Sequence, residues 1–372
     1  MDITAAYLCD VDAEFEIDTL ELAEPRASEV LVRIVASGVC ASDAHTRSGR
    51  IPSPLPSVLG HEGAGVVEAV GADVAHVAPG DHVALSWMPS CGRCRHCLAG
   101  RPVLCTAAAP HMLAGTLLDG TTRLSKDGEK VFHYSFLSTF ATHTVVPAAS
   151  AVKIAADVPL AVAALVGCAV LTGYGAVVNR ANVRPGSSVL IFGAGGVGLS
   201  AVMGARTAGA EEIIVVDPVE AKREEATRFG ATTTLTPAEG LVDQVRELTE
   251  GFGADYAIDA VGAEGILGQA FEATAAGGTI VCVGVPGAEA RPSLPGPALV
   301  RQEKVVTGSL YGSSRPAMDM PKILDLFKEG RLPLERMISR TYDLAHINSA
   351  FDDLAAGVLN RGVLVMDPEL AL

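Results

Sequence analysis

The chain has 372 residues, of which 49% are hydrophobic and 19% charged, so its composition is that of a folded protein and excludes a disordered one. Its length exceeds what one hydrophobic core usually serves, and we therefore expect two domains. The net charge of -15 argues against a nucleic-acid partner, because phosphate contacts need a basic surface.

The N-terminus shows no secretion signal, since no basic start is followed there by an apolar stretch and a small-residue cleavage site. The longest apolar run, residues 158–178, is broken by Pro159, Gly167, Gly173 and Gly175, so we predict no membrane helix. Both observations predict a cytoplasmic protein. In that reducing compartment the eight cysteines are expected to be metal ligands or catalytic groups rather than disulfides.

The sequence pattern changes near Arg184. Before it, short Val- and Ile-rich runs separated by Gly, Pro and Asp predict an antiparallel, largely β unit. After it, apolar strands alternate with amphipathic helices, which predicts a parallel, doubly wound sheet and hence an α/β fold. We expect a first domain over residues 1–169, a doubly wound domain over residues 170–311 and a C-terminal segment over residues 312–372 that returns to the first domain.

A set of potential metal ligands and their neighbours is spread over the first domain: Cys40, Ser42, Asp43, His45, His61, Glu62 and Cys168. Two thiolates and one imidazole leave the fourth corner of a tetrahedral zinc ion open, as catalytic zinc sites require. Such a zinc ion acts as a Lewis acid. Taken alone, His61 and Cys168 would more often be ordinary core residues.

The polar residues of this set have predicted supporting roles. Of Asp43 and Glu62, we expect one to orient the His61 ring by accepting its spare N–H and the other to approach the metal; plain surface charges are the alternative. Ser42 and His45 could carry a proton from the substrate to water, because an imidazole with an ordinary pKa of about 6.5 suits the exit of such a path. Otherwise Ser42 caps a turn and His45 is simply exposed.

Four further cysteines have the spacing C-x2-C-x2-C-x7-C: Cys91, Cys94, Cys97 and Cys105. Thiolates this close in sequence can surround one tetrahedral zinc ion, which would be structural because its coordination shell is filled. An iron–sulfur cluster is the alternative, since C-x2-C-x2-C also occurs in ferredoxins. The absence of a proline after Cys105 favours zinc.

The doubly wound domain begins with an apolar strand at residues 188–192, followed directly by Gly-Ala-Gly-Gly-Val-Gly. This order predicts a dinucleotide site, in which the glycines allow a tight turn, backbone approach to a pyrophosphate and close helix packing. Asp217 ends the next apolar strand and favours NAD over NADP, because it would repel a 2′-phosphate. Lys222 is either a ribose neighbour or a surface lysine. The predicted cofactor residues here are Gly193, Gly195, Gly196, Val197, Gly198, Asp217 and Lys222.

Together, these motifs resemble those of the medium-chain, zinc-dependent alcohol dehydrogenases along essentially the whole chain. Gly167-Cys168-x3-Thr172-Gly173-Tyr174-Gly175 is typical of the alcohol-active branch. The resemblance implies a GroES-like catalytic domain, a Rossmann-type NAD-binding domain, one catalytic and one structural zinc ion per chain, and reversible oxidation of primary alcohols with NAD.

The resemblance also implies roles for single residues, with Cys40, His61 and Cys168 as the ligands of the catalytic zinc ion. Thr172, Val283, Gly284 and Val285 are expected at the nicotinamide, and Arg361 at the pyrophosphate. Trp87 and Tyr134 are expected to line the substrate cavity, and two aromatic walls imply an apolar or aromatic alcohol.

The expected partners are a small alcohol or aldehyde and a second copy of the chain, with no nucleic acid or membrane. We expect the apolar strand at residues 305–310 to pair in a homodimer, with a tetramer as the alternative.

Within the family, the sequences Ser-Cys-Gly-Arg-Cys and Asp-Pro-Val-Glu-x-Lys-Arg are similar to those of nicotinoprotein and nitrosodimethylaniline-linked enzymes. The chain is also similar to glutathione-dependent formaldehyde dehydrogenases, so S-(hydroxymethyl)glutathione oxidation is an alternative. Ala109 replaces an arginine of that group, and residues 50–52 replace its acidic positions, which argues against glutathione-adduct recognition. A non-catalytic NAD sensor or scaffold and a zinc-free quinone reductase are further alternatives, and the intact set of zinc ligands argues against both.

Overall fold

The structure is a computed structural model that describes residues 1–287 and 289–371, so the last residue of the predicted C-terminal segment lies outside the described part. The chain divides into two units. Met1–Cys168 and the segment from Arg315 onward form the first unit, and Ala169–Ser314 form the second. The C-terminal segment thus lies in the same unit as the N-terminal residues.

Both units combine strands with helices. The strands are β1 (Asp2–Leu8), β2 (Glu16–Leu22), β3 (Glu29–Val39), β4 (Ser57–Val58), β5 (Glu62–Val70), β6 (His82–Leu85), β7 (Leu124–Lys126), β8 (Glu129–His133), β9 (His143–Pro147), β10 (Ala151–Lys153), β11 (Ser188–Phe192), β12 (Glu212–Val216), β13 (Thr233–Leu235), β14 (Ala254–Asp259), β15 (Thr274–Cys282), β16 (Val305–Gly308), β17 (Ile338–Tyr342) and β18 (Arg361–Val365). The α-helices are α1 (Ala41–Arg47), α2 (Arg95–Leu98), α3 (Ala109–Leu113), α4 (Leu160–Leu165), α5 (Leu171–Gly175), α6 (Gly196–Ala208), α7 (Glu220–Phe229), α8 (Leu241–Leu248), α9 (Ile266–Ala273), α10 (Gly296–Arg301), α11 (Pro316–Lys328), α12 (Ile347–Ala355) and α13 (Pro368–Ala371).

The long strand β3 organises the larger sheet of the first unit, which has the order β10-β6-β5-β3-β18-β17. It pairs antiparallel with β5 along one edge, and with β9 and then β18 along the other. Its β-branched residues Val30, Val32 and Ile34 line one face of the sheet and are almost completely buried in the apolar cluster there. The pairing of β18 with β3 brings the C-terminal segment back to the N-terminal sheet.

Five short strands form a closed barrel in the same unit, in the order β1-β2-β7-β8-β4. The pairings are antiparallel except for β4 with β8. Closure leaves no free strand edge in the barrel. The sequence analysis predicted a largely β unit without locating these strands, and β4 with two residues and β7 with three are too short to show an alternating pattern.

The second unit contains a parallel sheet with the order β13-β12-β11-β14-β15-β16, in which the first strand of the unit lies in the middle. This is the Rossmann strand order, so the predicted doubly wound fold is confirmed. The turn from β11 into α6 depends on glycine. Gly193 has a φ of +90°, and a Cβ added at Gly198 would lie 1.8 Å from the Gly193 carbonyl oxygen, so no side chain fits there.

A continuous helical run extends over Leu160–Ala181, with π-helical turns at Val166–Val170 and Ala176–Ala181 between and after the α-helical parts. Our expectation that its glycines interrupt the run is wrong, because close packing favours glycine at these positions. Within the described part of the chain, this is the one helix long and apolar enough to cross a membrane, but 83% of its apolar window is buried inside the protein. It is therefore a core helix.

A buried polar network links the barrel to β3. The guanidinium of Arg123 donates to both carboxylate oxygens of Glu29, over 2.8 and 2.5 Å. His133, which is 1% exposed, accepts the backbone N–H of Arg123 at Nε2 over 3.2 Å and lies 3.3 Å from the Ser138 hydroxyl at Nδ1. Both contacts suit a neutral imidazole. Burial and the charge of Arg123 lower the pKa of His133 to about 3.

We predict that His133 makes the protein less stable as the pH falls. Below about pH 6.5 the unfolded chain binds a proton at this histidine that the folded chain does not bind, so stability is complete above pH 6.5 and decreases toward pH 3. Between pH 7.5 and 5, the unfolding free energy of the wild type should fall by about 2 kcal/mol more than that of His133→Gln. Urea unfolding at both pH values measures this difference.

The control is Met88→Leu, a buried substitution that removes no titratable group and should leave the wild-type pH dependence intact. Equal pH dependence of the wild type and His133→Gln would contradict the prediction.

Candidate active site

The pairing of β3 with β5 brings Cys40 and His61 together. Gly38 of β3 lies opposite Glu62 of β5, so the chain leaves β3 and enters β5 at the same end of the sheet. Cys40 is the first residue after β3, and His61 is the last residue before β5. Gly60 turns the chain toward His61 with a φ of +89°, and a Cβ there would lie 2.6 Å from the ring of Phe140.

Cys168 joins them from the first π-helical turn of the Leu160–Ala181 run, and such turns are frequent at functional sites. The helix approaches the sheet closely here, since a Cβ added at Gly167 would lie 2.8 Å from the carbonyl oxygen of Leu85. The ligand atoms of Cys40, His61, Glu62 and Cys168 all lie within 4.8 Å of one another, and all four residues are buried. The structure thus brings the predicted ligands together.

The charges of this cluster suit a cation. A hydrogen bond from Cys168, with the positive charges of Arg361 and His61, outweighs burial and lowers the pKa of the Cys40 thiol well below its ordinary value. That hydrogen bond and burial raise the pKa of the Cys168 thiol. Burial disfavours the charged form of His61, but Asp43 and Cys40 outweigh it and raise the pKa of its imidazole. A zinc ion would take the place of the shared protons.

Asp43 supports the His61 ring. Its carboxylate accepts the backbone N–H groups of Cys40 and Gly60, each over 3.2 Å, and lies 3.0 Å from Nδ1 of His61. A carboxylate that accepts Nδ1–H leaves Nε2 available to a metal. Burial raises the pKa of the Asp43 carboxyl. Of the two acidic candidates, Asp43 therefore has the geometry of the orienting residue.

Glu62 lies on the other side of the cluster, next to Arg361. Arg361 Nη2 is 3.2 Å from Glu62 Oε1, and Nη1 donates to the carbonyl oxygen of Val39 over 3.2 Å. This ion pair lacks hydrogen-bond geometry, and neither carboxylate oxygen of Glu62 has a hydrogen-bond donor among the described residues. Burial, opposed by the charge of Arg361, raises the pKa of Glu62 to about 8.

The ligand atoms of this cluster match those of a zinc site. Two sulfur atoms and an imidazole nitrogen are the ligands that catalytic zinc sites use, and here they are buried and close together. The oxygens of Glu62, which have no donor, would gain from a nearby cation. The residues therefore fit a zinc ion.

The pairing of Arg361 with Glu62 is a feature that the sequence analysis missed. It arises because Gly362 of β18 lies opposite Val39 of β3, and nothing in the sequence indicates that register. The expected contact of Arg361 with a pyrophosphate stays a prediction.

The four cysteines of the second set also lie within 4.8 Å of one another. Backbone N–H groups point at their sulfurs, from Cys91 to Cys105 over 3.4 Å and from Cys94 to Cys91 over 3.3 Å. Such hydrogen bonds stabilise thiolates, and those from the backbone around Cys97 and Thr106 lower the pKa of Cys94 to about 5. Four thiolates at this spacing fit a closed, structural zinc site.

In the second unit, Asp217 holds the glycine-rich turn. Its carboxylate accepts the N–H of Ala194 over 2.8 Å and that of Val219 over 2.9 Å. Next to it, no atom lies within 4 Å of a Cβ added at Gly195, so the backbone there is open to a ligand. Lys222 is half-buried near the start of α7. These positions agree with a dinucleotide site.

The other predicted cofactor contacts lie in separate parts of the same unit. Thr172 is half-buried on α5, and Val283, Gly284 and Val285 follow β15. A Cβ at Gly284 would lie 2.3 Å from the backbone nitrogen of Gly262, so the loop after β15 packs tightly on the loop after β14. Val285 is 69% exposed. Their contact with a nicotinamide ring stays a prediction.

Ser42 and His45 are half-buried on α1. Burial and the charge of Arg50 lower the pKa of His45. Trp87 is half-buried against the apolar cluster around β3 and β5. Tyr134 is 8% exposed, and its hydroxyl lies 3.0 Å from that of Thr46, a neighbour that the sequence analysis did not identify.

The chain is similar to known proteins along most of its length. The family model of the zinc-binding dehydrogenases matches residues 196–329, and that of the alcohol dehydrogenase GroES-like domain matches residues 26–156. The chain is 39% identical to the NDMA-dependent alcohol dehydrogenase of Amycolatopsis methanolica, over 98% of this chain and 99% of that protein. It is also 39% identical to the S-(hydroxymethyl)glutathione dehydrogenase of Paracoccus denitrificans, over 98% and 100% of the two chains. The crystal structure of benzyl alcohol dehydrogenase from Acinetobacter calcoaceticus superposes with a TM-score of 0.93, at 34% identity and over 98% and 99% of the two chains.

We predict that the two cysteine clusters bind metal independently. Cys97→Ser should reduce two zinc ions per chain to one and lower the thermal unfolding midpoint by on the order of 5 °C, because the lobe around it has little core of its own. Cys168→Ser should also remove one zinc ion but change the midpoint less, since its surroundings are packed. Elemental analysis and calorimetry measure both quantities.

The control is Cys9→Ser, which alters an exposed cysteine outside both clusters and should retain both zinc ions. An unchanged zinc content in Cys97→Ser would contradict the assignment.

Proposed function

Since this chain belongs to the family of zinc-binding medium-chain alcohol dehydrogenases, we propose that Cys40, His61 and Cys168 hold the zinc ion at which it oxidises an alcohol. The resemblance seen in the sequence is thereby confirmed. The protein is an oxidoreductase that uses zinc and a nicotinamide dinucleotide. The observation that supports the assignment of the ligands is the buried cluster of two sulfurs and one imidazole within 4.8 Å.

When bound, zinc supplies Lewis acidity toward the substrate oxygen. The residues around it prepare the site. Asp43 would accept the Nδ1 proton of His61, so that Nε2 is the ring nitrogen that would hold the ion. The lowered pKa of the Cys40 thiol favours the thiolate form of this ligand. Burial of all four residues excludes water, which strengthens every charge interaction in the site.

We assign the movement of the hydroxyl proton to Ser42 and His45. They are three positions apart on α1 and therefore neighbours on one helix face. The lowered pKa of His45 leaves its imidazole neutral near pH 7, so that it can accept the proton that Ser42 passes on. The net reaction is the transfer of a hydride from the alcohol carbon to the nicotinamide ring and of a proton to water.

The cofactor we propose is NAD rather than NADP. Asp217 is buried beside the glycine-rich turn and already accepts two backbone N–H groups, and its remaining lone pairs can accept ribose hydroxyls. A 2′-phosphate at the same place would meet this negative charge without compensation.

For the substrate we propose a primary alcohol with an apolar or aromatic substituent. The aromatic side chains of Trp87 and Tyr134 support an apolar or aromatic substrate. The structural similarity to a benzyl alcohol dehydrogenase supports it as well. S-(hydroxymethyl)glutathione is the second candidate, favoured by the identity to a dehydrogenase of that compound. Arg50 and Ala109 argue against it, as they replace residues of the glutathione-linked group.

For the location we propose the cytoplasm. The clustered cysteines must stay reduced to bind metal as thiolates, and a reducing compartment keeps them so.

The test is turnover of purified, zinc-loaded protein with benzyl alcohol, ethanol and S-(hydroxymethyl)glutathione, each with NAD and with NADP. We expect NADH formation with benzyl alcohol as the best substrate. His61→Ala should reduce kcat/KM on the order of 10³-fold, because a metal ion contributes several kcal/mol to such a reaction. Cys9→Ser should retain full activity. Undiminished turnover by a correctly folded His61→Ala variant would exclude the proposed ligand set.

We further propose a homodimer formed through β16. This strand ends the sheet of the second unit, and its free edge can pair with another strand. The surrounding surface is apolar, with Val305 49%, Val300 75% and Leu310 44% exposed. Such a patch on a folded protein favours an interface.

The expected mass in solution is twice the 38.2 kDa of one chain, measured by light scattering after size exclusion. Val305→Lys should yield monomers, because it places a charge in the interface. Phe252→Lys, at an equally apolar residue that is 75% exposed elsewhere in the unit, should leave the dimer intact. A Val305→Lys protein that remains dimeric would refute the use of this edge.

A further inference from the structure

The helix α1 carries both residues of the proposed proton path but has only seven residues. A helix of this length is not stable by itself, so its position depends on side-chain contacts with the rest of the first unit. Its first turn has one such anchor, because Asp43 is bonded to Gly60 and His61. The last turn needs a second anchor to keep the helix from turning about the first.

Arg47 supplies one contact in the last turn, since its Nε donates to the carbonyl oxygen of Ala13 over 2.7 Å. Thr46 supplies another. It is 3% exposed, and its hydroxyl donates to the carbonyl oxygen of Ser42 over 3.0 Å. The hydroxyl oxygen of Tyr134 lies 3.0 Å from that of Thr46 and 3.5 Å from the same Ser42 carbonyl. Thr46 has a single hydroxyl proton, so the proton of Tyr134 is needed to complete this three-membered set of hydrogen bonds.

Tyr134 also contacts one of the predicted zinc ligands. Its ring packs edge-on against the ring of His61, with centroids 5.7 Å apart and planes at 72°. The residue itself is held directly after β8, where its backbone N–H donates to the Ser138 hydroxyl over 3.1 Å. One buried side chain thus joins a predicted zinc ligand to the helix of the proton path.

We propose that Tyr134 is a positioning residue: through Thr46 it holds α1 and with it Ser42, whose carbonyl oxygen belongs to the same set of hydrogen bonds. This inference rests on the proposed function of Ser42 in proton transfer. It differs from the expectation that Tyr134 serves only as a wall of the substrate cavity. A wall depends on the ring, whereas positioning depends on the hydroxyl group.

Tyr134→Phe separates the two roles, because it keeps the ring and removes the hydroxyl. We expect kcat for the best alcohol to fall about fivefold, the factor that one hydrogen bond of ordinary net strength supplies, with KM unchanged within about twofold. Thr46→Val should have the same effect. The double variant should lose little more than either single one, because both remove the same set of bonds.

Hydrogen exchange supplies a second measurement that does not depend on turnover. In zinc-loaded Tyr134→Phe, the amides of residues 41–47 should exchange about fivefold faster than in the wild type, while those of β3 and β5 keep their rates. The matched control is Tyr7→Phe. Tyr7 is 4% exposed in the same unit, and its hydroxyl is bonded to Glu16 over 3.1 Å, away from α1. Neither kcat nor the exchange of residues 41–47 should change in this control.

Unchanged exchange of residues 41–47 in Tyr134→Phe would overturn the proposal, and so would a change confined to KM, which is the signature of a cavity wall. A wild type that oxidises none of the alcohols would refute the proposed function instead. The exchange experiment would still decide whether Tyr134 holds α1.

Discussion

The register between β3 and β5 is the constraint on which the site depends. With Gly38 opposite Glu62, the two strand ends place Cys40 and His61 side by side. A slip by one residue would turn every side chain of a strand to the other face of the sheet. Close packing opposes such a slip, since a Cβ at Gly38 would lie 2.1 Å from Glu62 Oε2 and one at Gly65 2.0 Å from the carbonyl oxygen of Arg33. The glycines of this segment therefore specify the pairing that creates the cluster.

Burial then gives the cluster its chemical character. Cys40, Asp43, His61 and Glu62 are all at most 6% exposed, and isolated charges would be unfavourable there. They are tolerated because they compensate one another, with Asp43 against His61 and Arg361 against Glu62. The compensation is incomplete, as the high pKa of Glu62 indicates. A divalent cation completes it, so the energetics of this pocket favour the metal that the family uses.

The two cysteine clusters differ in the role we propose for zinc, which is structural around Cys91 and catalytic around Cys40. In the lobe around Cys91, three of the four cysteines are partly exposed, and the backbone donates to the sulfurs. We expect a filled shell of four thiolates to hold the loop there, which has little apolar core. Around Cys40 the sheet and a core helix already hold the ligands, so the metal is free to act on a substrate.

The sequence by itself determined the composition of the four-cysteine cluster, the Rossmann unit and the role of its glycines, whereas Cys40, His61 and Cys168 were identified as ligands through the family resemblance. The reason is that these features depend on local spacing: four cysteines within one short loop, or a strand, a glycine turn and a helix in direct succession. Only the tertiary structure decided which carboxylate faces His61, that Arg361 lies beside Glu62 and that Tyr134 is bonded to Thr46. Each of these contacts joins residues that are 18 to 299 positions apart in the chain, as in His61 with Asp43 and Arg361 with Glu62. Strand register and helix packing create such contacts, and neither leaves a local pattern in the sequence.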